Sequence, residues 1–139
     1  MKLSDFYYSK VQYPIKENNK QKKCNSFVYV IFNKDIGLFK IGITNSPHER
    51  FQTIKSSSGS SIWEILQIEL EYDYDESSIM IEKIIHKYYK DKRIIGEYFL
   101  LSIRDIIEIQ DLFYSIEGCN MTFFDESLIN RLMPYVGYW

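Results

Sequence analysis

Apolar residues run without interruption from Phe27 to Phe32, and most are β-branched or aromatic. A run of that length and type predicts a strand covered on both faces. Asn33, Lys34, Asp35, Ile36 and Gly37 follow as turn residues. From Leu38 to Thr44 the pattern alternates: Phe39, Ile41 and Ile43 point one way, and Lys40, Gly42 and Thr44 the other. The short connection makes the two runs an antiparallel hairpin. Ser46-Pro47-His48-Glu49 is a helix start, with Ser46 placed to cap, Pro47 at the first helical position and Glu49 to close a capping box. This helix should reach about Ser56, and Ser57–Ser61, with Gly59, reads as a loop. Ile62–Tyr72 alternates again, with Ile65, Gln67 and Glu69 against Leu66, Ile68 and Leu70, and predicts a third strand. A second helix capped by Asp75 or Ser77 runs through about Tyr89, Gly96 marks a turn, and Glu97–Leu100 is a short fourth strand. Ser102 caps a helix over about Ile103–Tyr114, and a last helical turn or two follows Asp125. The order ββαβαβα predicts an α+β fold, a small central antiparallel sheet flanked by helices.

The register of the hairpin carries functional weight. Pairing Phe32 with Gly37, or Phe32 with Phe39, brings Tyr29 and Lys40 to one face of the sheet. Pairing Phe32 with Leu38 sends them to opposite faces.

Composition narrows the class. A chain of 139 residues, 45% hydrophobic and 17% aromatic, is long and apolar enough to bury one core. The absence of alanine and the wealth of Ile, Tyr, Lys and Asn suggest an A/T-rich coding sequence, as in phages, viruses or low-GC bacteria. Two cysteines, Cys24 and Cys119, are too few for a disulfide framework or a zinc site and suit a reducing compartment. No apolar run approaches the roughly 18 residues of a membrane span, and the N-terminus lacks the core of a secretory signal, so the expectation is a cytoplasmic protein, or one in a host cytoplasm or nucleus, without a membrane partner. The net charge of −2 argues mildly against a general nucleic-acid binder. Its distribution softens that: residues 1–26 carry six lysines against two acids, and the rest eleven Lys and Arg against seventeen acids.

Placed at 100° per residue, Pro47, Phe51 and Ile54 form one stripe, and Arg50 falls within it. A charge on the core-facing side fits a guanidinium held for a phosphate, or an arginine whose stem alone is buried. His48 points away from the stripe, as a surface residue or a substrate contact. Lys40 is the only charge in the second strand, and Gly42 on its face leaves room for a close backbone approach. In the second helix Ile81, Ile84, Ile85 and Tyr88 form the core stripe, with Glu82 on its flank and His86 one turn on. Lys87, Lys90, Lys92 and Arg93, interleaved with Tyr88 and Tyr89, form a basic cluster that suits either phosphate or simply a helix C-terminus.

Val28-Tyr29-Val30, Lys40-Ile41-Gly42 and Arg50, in that order and spacing, resemble the GIY-YIG nuclease motif. The likeness is closest to a small phage-type subgroup related to the meiotically-upregulated-gene-113 domains, which tolerates Lys in place of the second motif tyrosine. Glu82 and Gly96-Glu97-Tyr98-Phe99 match that subgroup's later features, so the resemblance covers about residues 27–101. It implies a nuclease core at 27–101, with a basic N-terminal extension over 1–26 and a C-terminal helical extension over 102–139 packed on it. It further implies a metal-dependent endonuclease: Tyr29 contacts or deprotonates the attacking water, Lys40 assists, Arg50 stabilises the transition state, and Glu82 binds one Mg²⁺ or Mn²⁺. Glu97 would orient Lys40 or Arg50, His86 would orient Glu82, and His48, Lys87, Lys90 and Arg93 would meet substrate. DNA is the expected partner, with RNA and a homodimer left open. The alternatives are a fold-mate that binds nucleic acid without cutting, and a protein-binding module built on the acidic, aromatic C-terminal third.

Overall fold

The computed structural model describes residues 1–10, 23–58, 61–72, 77–116, 120–122 and 126–139. Along the chain lie α1 (Leu3–Lys10), β1 (Lys23–Asn33), β2 (Leu38–Thr44), α2 (Pro47–Ser58), β3 (Ile62–Tyr72), α3 (Ser77–Tyr88), β4 (Arg93–Ile95), β5 (Tyr98–Phe99), α4 (Ile103–Ser115), β6 (Asn120–Thr122) and α5 (Glu126–Leu132). The class is α+β. One antiparallel sheet has the order β4-β5-β2-β1-β3-β6, with β1 and β2 near its middle.

The central hairpin takes one of the two functional registers. Phe32 pairs with Phe39, Ile31 with Lys40 and Tyr29 with Gly42, so Tyr29, Lys40 and Gly42 share a face. At the turn, Gly37 adopts φ 70°, a left-handed conformation that suits glycine, and its N–H donates to the Asn33 carbonyl at 2.9 Å. The Asn33 side chain accepts from the Asp35 N–H at 3.0 Å and closes an Asx turn.

The two faces of the sheet are covered unequally. Val28, Val30, Phe32, Phe39 and Ile41 belong to the main core, with Leu3 and Tyr7 of α1, Ile81, Ile84 and Ile85 of α3, and Ile103, Ile106, Ile109, Leu112 and Phe113 of α4. On the other face, among the described residues, α2 closes a small core of Tyr29, Ile31, Phe51, Ile54 and Ile62. Each such side chain contributes about 1.5–3 kcal/mol on burial, so the main face carries most of the stability. The small one has room for polar groups.

Several boundaries move. β1 starts at Lys23, so the limit expected at residue 27 falls inside a strand. Residues 3–10 form a helix whose Leu3 and Tyr7 are buried in the main core, and Tyr8 donates to the Ser115 carbonyl at 2.9 Å. The first part of the N-terminal segment is thus built into the body. The candidate cap Asp75 and the glycine of the loop, Gly59, lie outside the described residues. In β3 the strict alternation fails: Val30 pairs with Leu66 and Ile31 with Glu64, so Ile65 is an extra residue. The bulge lets Ile65 and Leu66 both enter the main core. In α3, Tyr89 just past the helix takes the deep position expected for Tyr88, which is only partly buried.

Two strands were not expected. β4 forms a hairpin with β5 through Gly96 (φ 54°), and β6 pairs with β3 at the other edge. Ser102 caps α4 with a full capping box to Asp105, and the Ile103 and Arg104 N–H groups donate to the carbonyls of Gly137 and Tyr138. Four donors that every helix start leaves open are thereby largely satisfied from within the chain. Val136 after α5 and the inner face of α4 lie in the main core. Among the described residues no helix is long and apolar enough to cross a membrane.

Candidate active site

The face opposite the main core gathers polar groups where α2 stops covering it. Tyr29 lies across Gly42, its cross-strand partner, and has no exposed surface. A Cβ at residue 42 would stand 2.5 Å from the tyrosine oxygen and 2.7 Å from the ring carbon that bears it, so glycine is the residue that admits the ring. Phe51 of α2 packs edge-on against the same ring, with centroids 5.5 Å apart.

One residue before Phe51, Arg50 turns its guanidinium to the sheet and its Nε–H donates to the Tyr29 hydroxyl at 3.3 Å. The stripe on α2 thus contains a charged residue because a phenol waits beneath it. Burial pushes the Tyr29 pKa above its ordinary value; the Arg50 hydrogen bond and charge oppose this, and the charges of Glu97 and Glu82 reinforce it. The same hydrogen bond holds the Arg50 pKa above its usual value, so it remains a cation.

Lys40 stands on the same face as Tyr29 and is nearly covered, with 14% of its side chain exposed. Its Nζ is 3.7 Å from a carboxylate oxygen of Glu97 and 5.7 Å from the centre of the Tyr98 ring. Burial lowers its pKa, Glu97 pushes it back up, and Arg50 lowers it further. Of the two partners expected for Glu97, Lys40 is the one it pairs with.

Ile41 ties two further elements to this edge. Its N–H donates to the Glu97 carbonyl at 3.1 Å, and its carbonyl accepts from His86 Nε2–H at 2.9 Å. That bond places the His86 proton on Nε2. The ring packs on Phe99, 4.9 Å between centroids, and burial lowers its pKa, partly offset by the Ile41 bond. His86 therefore fixes α3 to β2 through the main chain. Glu82, one turn earlier on α3, is half-buried. Its pKa is raised first by burial and then by Glu97, against a smaller opposing effect of Lys83. Its charge also acts on Tyr29, as the smallest of the effects on that phenol.

The remaining candidates stay apart from this set. His48 is exposed and contacts Gln52 at 3.4 Å. Lys87 and Lys90 are exposed. Arg93 is exposed and donates through Nε to the Gly96 carbonyl, and its charge further lowers the His86 pKa. Lys92 bonds Asp105 at 2.6 Å, and Tyr89 is buried with its hydroxyl donating to Glu108 at 3.2 Å. Two members of the basic, aromatic run, Tyr89 and Lys92, thus tie the end of α3 to α4.

Tyr98 is the contact that the sequence did not single out. It sits opposite Lys40 in the β2–β5 ladder. The signal was present in the Gly-Glu-Tyr-Phe run, but its meaning depends on which strand β5 pairs with.

Among the described residues no group of three or more His, Cys, Asp or Glu side chains could by itself hold a metal ion. Among the described residues Glu82 makes no hydrogen bond or ion pair, and burial disfavours its charged form. A single carboxylate in that condition fits a divalent cation whose other ligands are water and substrate phosphate, as is usual for Mg²⁺.

The arrangement offers two cations, a phenol and a carboxylate around one glycine-floored surface. A family description, the T5orf172 domain, matches residues 26–113. Searches of the curated proteins and of the solved structures found no match.

Proposed function

From the chain's membership of the T5orf172 family, a phage-associated domain of the GIY-YIG-like nuclease clan, we propose that the protein is a metal-dependent endonuclease that hydrolyses DNA phosphodiester bonds. The observation that carries this reading is the Arg50–Tyr29 hydrogen bond on the sheet face that also bears Lys40. Helix α2 and the hairpin come together there for no packing gain that an apolar residue at position 50 would not give.

Water is the nucleophile. Tyr29 accepts or relays its proton, with the Lys40 charge beside it; a phenol with an ordinary pKa near 10 needs such neighbours, the more so when buried. Arg50 binds the phosphate oxygens and stabilises charge on the phosphorane-like transition state. Glu82 would hold one Mg²⁺ or Mn²⁺, and that ion would supply Lewis-acid charge at the phosphate. His86 keeps α3, and with it Glu82, at the edge of β2. His48, Lys87, Lys90 and Arg93 remain candidates for contacts with the nucleic-acid backbone, and a homodimer would let two sites cut both strands.

A module that binds nucleic acid or a protein without cutting is the second reading. The zero exposure of Tyr29 and the pairing of Lys40 with Glu97 favour it. The test is incubation of purified protein with supercoiled plasmid, single-stranded and branched DNA, each with Mg²⁺ or Mn²⁺. Cleavage abolished by EDTA and by Glu82→Ala supports the nuclease. Cleavage that survives Glu82→Ala overturns the site. Salt-sensitive binding without cleavage, from folded protein, selects the second reading.

A further inference from the structure

We propose that Tyr98 is the positioning residue for Lys40, its ring face holding the ammonium at the active-site surface; this rests on the nuclease reading for its catalytic consequence. Lysine side chains ordinarily keep their heads in water. Lys40 does not: only 14% of its side chain is exposed, and Arg50 shares its surroundings. Two groups compensate, Glu97 just before β5 and Tyr98 within it. The Glu97 carboxylate lies at 3.7 Å and the Tyr98 ring centre at 5.7 Å, within the range of a cation–π contact.

The local backbone is arranged to put these groups there. β5 has two residues, and Tyr98 is directly opposite Lys40 in its ladder. Gly96 in the left-handed region turns the chain from β4 into β5, and Arg93 holds the Gly96 carbonyl. The Glu97 carbonyl takes the Ile41 N–H, and the Leu100 N–H bonds the Lys92 carbonyl on the far side. A strand this short contributes little to the sheet as a whole. Its inner side chain, Phe99, fills the main core, while Glu97 and Tyr98 address Lys40.

The chemistry follows from the kind of contact. A ring face attracts an ammonium and has no comparable attraction for the neutral amine. Tyr98 therefore favours a charged Lys40 in a fixed place, suited to phosphate charge. It acts through Lys40, and the ring, rather than the hydroxyl, is the working part.

The experiment compares the full chain with Tyr98→Phe and Tyr98→Leu, using two readouts. The first needs no activity: in protein carrying ¹³C-lysine, the ε-CH₂ signal of Lys40, assigned with Lys40→Arg, is followed from neutral to alkaline pH. An upfield ring-current shift is expected in the parent and in Tyr98→Phe. In Tyr98→Leu the shift should vanish and the titration midpoint fall. The second is cleavage kinetics: Tyr98→Phe should stay within about twofold, and Tyr98→Leu should lose about three- to thirtyfold in kcat with KM nearly unchanged. An unshifted Lys40 signal in the parent overturns the proposal, even if Tyr98→Leu fails to fold. So does a loss in Tyr98→Phe as large as in Tyr98→Leu, which would assign the effect to the hydroxyl. If the parent cuts nothing but the shift behaves as expected, the placement of Lys40 stands and the nuclease reading falls.

Discussion

A methyl group on Gly42 would stand 2.5 Å from the Tyr29 hydroxyl oxygen, the two residues being direct partners across β1 and β2. The ring cannot retreat easily: it is fully buried, with Phe51 packed edge-on against it. The glycine of the motif is therefore a seat for the tyrosine of the motif.

Gly42→Ala is expected to destabilise the fold by about 1–3 kcal/mol through overpacking. It should also displace the phenol from Arg50, so cleavage should fall by more than the loss of folded protein accounts for. Urea unfolding and cleavage of the folded fraction, measured on one preparation, check this. An unchanged midpoint would show that the ring has space the structure does not give it.

Tyr29→Phe keeps the ring on Gly42 and removes only the partner of Arg50 Nε. Because Arg50 is partly exposed, water can replace the lost hydroxyl, and stability should change by no more than about 1 kcal/mol. Cleavage should fall by about 10²-fold or more if the phenol handles the proton. Small, matching losses in both would assign Tyr29 a structural role.

Glu82 makes opposite demands on stability and activity. Its folded-state pKa is raised above the ordinary 4.5. The carboxyl therefore favours the fold while protonated; that contribution is present below the unfolded value and lost as pH rises through the folded one. Glu82→Gln should raise the Tm of the metal-free protein at neutral pH, with the difference shrinking at acidic pH, while abolishing cleavage. The acid limb of kcat/KM in the parent should lie above the ordinary carboxylate value. Thermal melts across the acid range, with and without Mn²⁺, test the sign.

Lys92 separates a structural from a nucleic-acid role for the basic run. It bonds Asp105, whose carboxylate is also half of the α4 capping box. Lys92→Met should cost about 1–3 kcal/mol because it leaves a buried carboxylate short of a partner, yet leave DNA affinity and its salt dependence unchanged. Lys87→Ala or Lys90→Ala should do the reverse if those exposed lysines touch phosphate, lowering the salt slope by about one each with no loss of stability.

The local patterns settled a good deal. Period-two alternation marked β2 and β3 with the ends they have, Ser102 marked the start of α4, and Gly37 and Gly96 marked turns at positive φ. These are short-range matters, decided by side-chain period, capping groups and the steric freedom of glycine. The stripe on α2 likewise exposed Arg50 as a charge on the inner side. What the residue pattern left open was how the elements meet. It allowed two registers that join Tyr29 to Lys40 and one that parts them, and only pairing within the packed sheet chose Phe32 with Phe39. Three-residue β4 and β6 carry too little pattern to be seen before a neighbouring strand supplies their hydrogen bonds. The bulge at Ile65 exists because the main core takes two successive residues of β3, which no alternation rule anticipates. The contacts of Lys40 with Glu97 and Tyr98 arise only when β5 docks beside β2, since more than fifty residues of chain separate them. A side chain's period follows from its own backbone, whereas its partner follows from burial of the whole sheet against α1, α3 and α4. That burial alone has the free energy to choose among registers that local preferences leave nearly equal.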